Sequence, residues 1–153
     1  MSGVAPNDIC QLRAASELDR PAVASLLSIA KLAPLDPASQ FGTQYVVAMD
    51  ASGVLVGVAG LELYGSDALL RSVAVAPRLR AHGLGQRLTE DRLKWAAKQG
   101  IKNAYLLTTD ARGYWARNGF DVIGRGDAPP GVQSSTQWAG GCSATAVAMR
   151  KAL

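Results

Sequence analysis

A glycine-bearing turn between a strand and a helix is the part of this sequence best suited to chemistry. The run Arg80-Ala81-His82-Gly83-Leu84-Gly85 follows an apolar strand that ends at Pro77, and an amphipathic helix continues from it to Gly100. The first N–H groups of a helix have no intrahelical acceptor, and the helix dipole adds positive charge there. Glycine lets the backbone approach a ligand closely. The arrangement predicts a site for an anion such as a pyrophosphate.

The spacing of the glycines excludes two common phosphate-binding motifs. A dinucleotide-binding turn needs a further glycine where Leu88 stands, and a P-loop needs Gly-Lys-Ser/Thr where the chain has Gly85-Gln86-Arg87. What is present is Arg-x-x-Gly-x-Gly, preceded by the strand residues Val73-Ala74-Val75 and by Pro77. The alternative to an anion site is an ordinary glycine turn that caps a helix.

Length and composition favour one globular domain over residues 1–153. The chain has 48% apolar and 18% charged residues, which is typical of a folded domain with its own core. Its apolar runs are too short to span a bilayer, and its first residues lack the features of a signal peptide. Cys10 and Cys142 have no metal-ligand spacing. We therefore expect a cytoplasmic protein with reduced thiols and no metal site.

The net charge is +4, and cationic side chains surround the glycine turn: Arg78, Arg80, Arg87, Arg92 and Lys94. One interpretation is a solvated helix face, and the other is attraction for a polyanionic cofactor. Nucleic acid fits less well, because aromatic residues do not interleave with these charges and no recognition motif is visible.

The hydrophobic pattern predicts alternating strands and helices. Strands are expected at 9–13, 45–49, 54–64, 69–75, 103–108, 120–124 and 143–151, the last as an edge strand. Helices are expected at 19–32, from the glycine turn to Gly100, and at 111–118, where Gly119 ends the helix. A hairpin turn is expected at 50–53 and a long loop at 126–141, which is rich in Gly, Pro and Ser.

The motif and the order of elements resemble the GNAT (GCN5-related) N-acetyltransferases over nearly the whole chain. The resemblance rests on Val73-Ala74-Val75 with Pro77, on Arg-x-x-Gly-x-Gly at 80–85, and on the order β-α-β-β-β-α-β-α-β-loop-β. It implies an α+β fold with a mixed, mostly antiparallel sheet flanked by helices. The two central parallel strands, ending at Val75 and Thr108, would splay apart around the thioester of acetyl-CoA, the expected co-substrate.

The second half is similar to two groups of small GNAT enzymes, the arsenic-resistance-operon N-acetyltransferases and the short N-acetylglutamate synthases. This similarity rests on Tyr-Leu-Leu-Thr-Thr at 105–109 and Tyr-Trp-Ala-Arg-Asn-Gly-Phe at 114–120. The segment 136–144 also resembles the arsenic-operon group, although Gln137 and Ser143 depart from its pattern. The resemblance implies acetylation of the α-amine of a small acidic amino acid or a glutamate analogue such as arsinothricin or phosphinothricin.

For the cofactor, the resemblance implies contacts made by the main chain. Val73, Ala74 and Val75 would pair with the pantetheine arm, and an N–H near Val75 would polarise the thioester carbonyl. The pyrophosphate would be held by N–H groups of the turn and the first helical residues: Arg80, Ala81, His82, Gly83, Leu84, Gly85 and Gln86. His82 is interpreted as a loop donor rather than a base.

The groups that transfer protons are predicted with alternatives. Histone-acetylating GNAT enzymes carry a glutamate where Leu69 stands, so Glu62 on the preceding strand is the candidate base; a surface carboxylate and a water relay are the alternatives. Trp115 occupies the position where many GNAT enzymes use a tyrosine as the acid. Tyr114 lies about 100° away around a helix and is the candidate acid, unless it packs or the thiolate leaves unprotonated.

Arg71 is the candidate for binding the acceptor, because a buried arginine is rare unless it is paired. It could clamp an acceptor carboxylate or form a structural salt bridge, with Glu62 as the suggested partner. Strand alternation would place the odd-numbered residues of 69–75 on one face. Thr108 and Thr109 end a strand beside the expected gap and are predicted to contact the acceptor.

Other functions stay open at this point. An N-acetylglutamate synthase-like biosynthetic enzyme and a non-catalytic CoA-binding sensor are alternatives. A protein N-acetyltransferase would need an open groove, whereas the loop at 126–141 favours a lid. The predicted partner is a small amino-acid-like acceptor, with homodimerisation left open and neither nucleic acid nor membrane expected. Cys142 is interpreted as a packed core cysteine rather than a metalloid ligand.

Overall fold

The computed structural model describes residues 10–35, 41–141 and 145–153. Seven strands form one sheet in the order β1-β2-β3-β4-β5-β7-β6. The strands are β1 (Gln11–Ala14), β2 (Tyr45–Met49), β3 (Leu55–Tyr64), β4 (Asp67–Val75), β5 (Asn103–Thr108), β6 (Asp121–Ile123) and β7 (Val147–Ala152). The helices are α1 (Arg20–Ile29), α2 (Leu84–Lys98), α3 (Arg112–Arg117) and α4 (Pro130–Gln133). Ile9 and Ser143, the predicted starts of the first and last strands, lie outside the described residues.

The sheet is mixed, as the sequence predicted. β4 and β5 are parallel, and Asp67–Leu69 pairs with Asn103–Tyr105. The pairs β1–β2, β2–β3, β5–β7 and β6–β7 are antiparallel. The parallel register joins the first residues of the two strands, while β4 continues to Val75 and β5 to Thr108. The expected α+β fold with a mixed, mostly antiparallel sheet and a central parallel pair is therefore confirmed.

The position of the last strand differs from the prediction. β7 does not form an edge: it pairs with β5 on one side and with β6 on the other. The consecutive residues Ala148 and Met149 are both buried, at 1% and 0% exposure. Burial of neighbouring residues on both faces is typical of an interior strand. The short strand β6, with its exposed Val122, lies at the edge instead.

The chain divides into two compact units, residues 1–60 with 72–92 and residues 61–71 with 93–153. In the first unit, α1 packs in a core cluster that includes Val23, Leu26, Leu27, Tyr45 and Val47, and α2 packs in another with Val46, Val56, Leu84 and Leu88. In the second unit, the core cluster includes Leu69, Tyr105, Leu107, Val132, Trp138 and Ala148. A single domain over 1–153 stays a prediction.

Helix α1 ends earlier than expected, and a backbone motif ends it. The pattern predicted a helix over 19–32, whereas α1 ends at Ile29. Lys31 adopts a φ of 58°, and Leu32 N donates to Leu27 O at 3.0 Å. This is the hydrogen bond of a Schellman motif, in which a lysine takes the left-handed position that glycine usually occupies.

The stretch predicted as a long loop is folded into short helical turns. A 3₁₀ turn (Arg125–Asp127), helix α4 and a π-helical turn (Gln137–Gly141) follow one another. Val132 and Trp138 are buried, and Trp138 Nε1 donates to Arg125 O at 3.0 Å. Pro130 suits the first position of α4, where its missing N–H costs nothing. The segment 126–141 thus contributes to the core of the second unit, so the expectation of a long loop, on which the prediction of a lid rested, was wrong.

No described helix is long and apolar enough to cross a bilayer. Cys10 is buried, and it forms no disulfide within the residues that the structure describes. Cys142 lies outside the described residues.

Candidate active site

The predicted cofactor turn lies in the first unit, between β4 and α2. β4 ends at Val75, the 3₁₀ turn Pro77–Leu79 follows, and α2 begins at Leu84. Gly83 adopts a φ of 86°, which glycine alone takes at low cost. Ala81 adopts a φ of 67°, although it carries a Cβ. The turn therefore depends on backbone conformations that most residues avoid.

A row of main-chain N–H groups lies open at this turn. Arg80 N donates to Pro77 O at 3.3 Å, and Arg87 N donates to Gly83 O at 3.1 Å. Between them, the N–H groups of 81–86 have no acceptor among the residues that the structure describes. Such a row, reinforced by the helix dipole, stabilises a bound anion. The geometry fits a pyrophosphate, with the correction that the N–H of Arg80 is already engaged.

The arginines around the turn contact protein groups rather than only solvent. Arg78 pairs with Asp50 at 2.5 Å, and Arg87 Nη1 donates to Cys10 O at 2.8 Å. Arg92 is buried at 5% exposure, and its Nη1 donates to a main-chain carbonyl at 2.9 Å. These three arginines stabilise the fold of the first unit. The open amides, more than these side chains, supply the attraction for an anion.

β4 contains a backbone irregularity just before Val73. Ser72 adopts a φ of 59° inside the strand, and its hydroxyl lies 3.4 Å from Tyr45 Oη. A left-handed residue in a strand interrupts the alternation of side chains, as a bulge does. The expectation that the odd-numbered residues of 69–75 share one face therefore does not hold across Ser72. The chain instead turns at this residue before Val73–Val75 continue toward the cofactor turn.

Arg71 and Glu62 form a buried ion pair in the second unit. Arg71 Nη1 donates to Glu62 Oε2 at 2.8 Å, and the two side chains are 2% and 6% exposed. The alternative of Glu62 as a surface carboxylate is wrong, and the suggested Arg71–Glu62 pairing is confirmed as a contact. A buried charge pair of this kind costs desolvation and is retained only with good geometry.

Tyr64 completes this group of side chains. Its hydroxyl donates to Glu62 Oε1 at 2.5 Å, so both oxygens of the carboxylate accept hydrogen bonds. Burial first, and then the Glu62 carboxylate, raise the pKa of Tyr64 above its usual range, while a hydrogen bond from Ser135 and the charge of Arg71 oppose the shift. The phenol is therefore protonated, and a donor, at neutral pH.

The sequence interpretation missed Tyr64 and Ser135. Tyr64 lies two residues after Glu62 on β3, and alternate residues of a strand share a face, so the signal for Tyr64 was present. Ser135 lies between α4 and the π-helical turn, far from Glu62 in sequence. No spacing in the sequence connects it with β3.

The candidate acid lies on α3. Trp115 is buried and packs edge-on against Phe120, with ring centroids 5.7 Å apart. Tyr114 is half-buried, and its ring contacts Trp115 at 4.9 Å. The helix thus directs the indole into the core and leaves the neighbouring phenol only partly covered. The position expected to hold an acid is a packing position here.

The two threonines at the end of β5 differ. Thr108 is buried, and its Oγ1 accepts the N–H of Ala111 at 3.1 Å, which joins β5 to the start of α3. Thr109 is exposed. Thr108 therefore has a structural contact, while its own hydroxyl hydrogen can still be donated.

Comparison with known proteins identifies the family. The model of the "Acetyltransferase (GNAT) family" matches residues 14–120, which include α1, β2–β5, the glycine turn, α2 and α3. The chain belongs to the GNAT acetyltransferase family. No group of His, Cys, Asp and Glu within the described residues is arranged to hold a metal ion.

Solved structures share the GNAT fold. One of them is N-acetylglutamate synthase from Neisseria gonorrhoeae, complexed with coenzyme A and N-acetyl-glutamate. Its sequence is 20% identical, the TM-score is 0.79, and the match covers 94% of this chain and 35% of the synthase chain. This chain thus spans 35% of that synthase's length. No curated protein matches the sequence significantly.

Two further solved structures match over nearly their whole length. Rv2747 from Mycobacterium tuberculosis, in complex with CoA, is 20% identical with a TM-score of 0.71, covering 94% of this chain and 99% of that one. The ribosomal-protein-S18-alanine N-acetyltransferase from Escherichia coli is 19% identical with a TM-score of 0.70, covering 94% and 93%. At these identities the similarity shows the fold, and the acceptor must be argued from this chain's own residues.

Proposed function

We propose that this GNAT enzyme transfers the acetyl group of acetyl-CoA to the α-amine of a small acidic amino acid or glutamate analogue. The observation that carries the proposal is the buried guanidinium of Arg71, which lies on β4 two residues before Val73 and is held by Glu62 of β3. A cation kept out of water at this point of the motif strand suits an acceptor with a carboxylate. The N-acetyl-glutamate bound to the Neisseria synthase supports the same class.

The cofactor is held by main-chain groups. The open N–H groups of 81–86 bind the pyrophosphate, and Gly83 lets the phosphates approach the backbone. Val73–Val75 pair with the pantetheine arm, and an N–H near Val75 polarises the thioester carbonyl. Holding the thioester in this way leaves its carbonyl carbon open to the amine.

The acceptor carboxylate binds Arg71. A guanidinium carries several N–H donors in one plane, and the contact with Glu62 at 2.8 Å uses Nη1. Arginine favours a paired, planar geometry with carboxylates, which suits an acidic acceptor. The Glu62 partner keeps the guanidinium charged and ordered before the acceptor arrives. Thr108 and Thr109 contribute hydroxyl contacts to the acceptor.

The chemical step needs a neutral amine and a proton for the thiolate. The amine nitrogen attacks the carbonyl carbon, a C–N bond forms and the C–S bond breaks. The α-amine must lose a proton before it attacks, and the cost at a given pH rises by about 1.4 kcal/mol for each unit by which the pKa of the amine exceeds the pH. The candidate base is Glu62, whose oxygens already accept bonds from Tyr64 and Arg71, or water. Tyr114 protonates the leaving thiolate.

Detoxification of a glutamate mimic in an arsenic-resistance context is the leading role, and N-acetylglutamate synthesis is the alternative with the same acceptor class. A protein acetyltransferase is the rival of another class, supported by the similarity to the Escherichia coli enzyme. Because 126–141 is packed rather than a loop, it no longer argues against a protein acceptor. The cytoplasmic location stays a prediction of the sequence.

The test measures release of the coenzyme A thiol with a panel of acceptors: L-glutamate, phosphinothricin, arsinothricin and a peptide with a free N-terminus. We expect turnover with at least one acidic amino acid and little with the peptide. Turnover with the peptide alone would show a protein acetyltransferase. Tight acetyl-CoA binding without turnover of any acceptor would indicate a sensor.

A further inference from the structure

Four polar side chains of the second unit form one hydrogen-bonded series. Ser135 donates to Tyr64, Tyr64 donates to Glu62 Oε1 at 2.5 Å, and Arg71 donates to Glu62 Oε2 at 2.8 Å. Ser135, Glu62 and Arg71 are each less than 5% exposed. The series therefore joins the guanidinium of Arg71 to the segment that follows α4, through groups that water reaches poorly.

The series is anchored at its far end. Ser135 Oγ accepts the N–H of Trp138 at 3.2 Å, and Trp138 belongs to the core of the second unit. Gly131 packs so closely on Tyr64 that a Cβ there would lie 3.0 Å from Tyr64 Cβ. The ring of Tyr64 is thus held by packing, and its hydroxyl by Ser135. A donor held on two sides can fix the plane of the carboxylate that accepts its hydrogen bond.

The rotation of the Glu62 carboxylate determines the direction of Arg71. With Tyr64 bonded to Oε1, Oε2 is directed at Nη1 of the guanidinium. Without the phenol, Oε1 would be a buried acceptor lacking its donor, and the carboxylate would turn to share both oxygens with the guanidinium. Arg71 would then follow its partner and lose the orientation that an acceptor carboxylate needs.

We propose that Tyr64 is a positioning residue for acceptor specificity, which orients Arg71 through Glu62 and is itself held by Ser135. The inference rests on the proposed function, because it requires an acceptor that bears a carboxylate. Tyr64 acts on the acceptor and not on the binding of acetyl-CoA. The affinity for acetyl-CoA comes from the main chain of the first unit and is independent of it.

Tyr64→Phe removes only the hydroxyl, and Tyr105→Phe is the matched control. Tyr105 is a buried tyrosine of the same core cluster, and its hydroxyl is not part of the series. We expect Tyr64→Phe to raise the acceptor KM about tenfold, with the KM for acetyl-CoA unchanged. Tyr105→Phe should leave both values near those of the wild type. A general loss of stability would lower the active fraction, and hence kcat, without this split.

A specificity ratio separates positioning from a merely structural role. L-glutamate is compared with its two monoamides, each of which lacks one carboxylate. The kcat/KM for L-glutamate, divided by the kcat/KM for each monoamide, reports how strongly Arg71 binds that carboxylate. Tyr64→Phe should reduce this ratio for the carboxylate that Arg71 contacts. Ser135→Ala, which acts one step further away, should reduce it less. If Tyr64→Phe does not fold, Ser135→Ala carries the test with the same readout.

The outcomes distinguish the inference from the function on which it rests. Wild-type turnover of acidic acceptors with a reduced ratio in Tyr64→Phe supports both. The same turnover with an unchanged ratio in Tyr64→Phe and Ser135→Ala overturns the role of Tyr64 and leaves the function in place. If the wild type acetylates only amines without a carboxylate, the proposed function is overturned, and the inference with it.

Discussion

The cofactor turn of the first unit and the polar series of the second unit are built from different parts of the chain. The turn exposes main-chain N–H groups at 81–86, and side chains contribute little to it. The series consists of four side chains, Arg71, Glu62, Tyr64 and Ser135, that must each be of one type. The contrast shows that a site built from main-chain groups depends on the backbone conformation. A site built from side chains depends on which residue types occupy its positions.

The two constructions also differ in electrostatics. The N–H groups of the turn carry partial positive charges, which need no buried counterion. The dipole of α2 adds to the positive charge at this end of the helix. The Arg71–Glu62 pair places full charges where they are only 2% and 6% exposed, so each ion depends on the other. Changes in the turn should therefore act through shape, and changes in the series through unpaired charge.

The largest expected effect comes from a side chain at Gly83. Gly83→Val forces a β-branched residue into a φ of 86° and covers the open amides, so acetyl-CoA binding by calorimetry should be lost. Gly100→Val is the control, because Gly100 follows the other end of α2 at a φ of 88° with open space around it. It imposes similar strain and should leave binding intact. Equal binding by wild type and Gly83→Val would contradict the cofactor site.

Breaking the ion pair should produce the next largest effect. Arg71→Ala leaves Glu62 buried without its cation, so the free energy of unfolding should fall by about 3 kcal/mol or more in urea denaturation. Arg78→Ala breaks the ion pair with Asp50, in which Arg78 is 58% exposed, and should lower the free energy of unfolding far less than Arg71→Ala does, because water screens this pair.

Arg71→Lys separates the acceptor role from stability. It keeps a cation beside Glu62 but loses the planar geometry, so the acceptor KM should rise while the fold persists. If Arg71→Lys kept the wild-type acceptor KM, Arg71 would be a structural residue only.

The same contrast explains what could be predicted from the sequence. Tyr45–Met49 and Asn103–Thr108 form strands within the predicted bounds, because their apolar runs and turn residues are local signals. The glycine turn could be placed because its motif depends on spacing alone. The interior position of β7 and the folding of 126–141 depend on contacts between residues distant in sequence. Ser135 could not be predicted for the same reason, since its partner Tyr64 lies on β3.

A substitution at Tyr114 tests its proposed role as the acid that protonates the leaving thiolate. Tyr114→Phe keeps the ring that packs on Trp115 and removes the acidic proton. Because the proton matters only in the transition state, kcat should fall at least about tenfold with a modest change in KM. Trp115→Phe is the contrasting variant. It should lower the free energy of unfolding, because packing on Phe120 is lost, and it should leave the kcat of the folded enzyme unchanged. Full kcat in Tyr114→Phe would leave Tyr114 as a packing residue.

The smallest effect concerns Ala81, whose side chain the turn does not need. Its φ of 67° is costly for a residue with a Cβ, so Ala81→Gly should raise the free energy of unfolding by up to about 1 kcal/mol. The same change at Ala24, an exposed position inside α1, should lower it by about 1 kcal/mol. Because Ala81→Gly keeps the N–H, the acetyl-CoA Kd should stay within about twofold. A loss of affinity on removing this methyl group would mean that the site depends on a side chain after all.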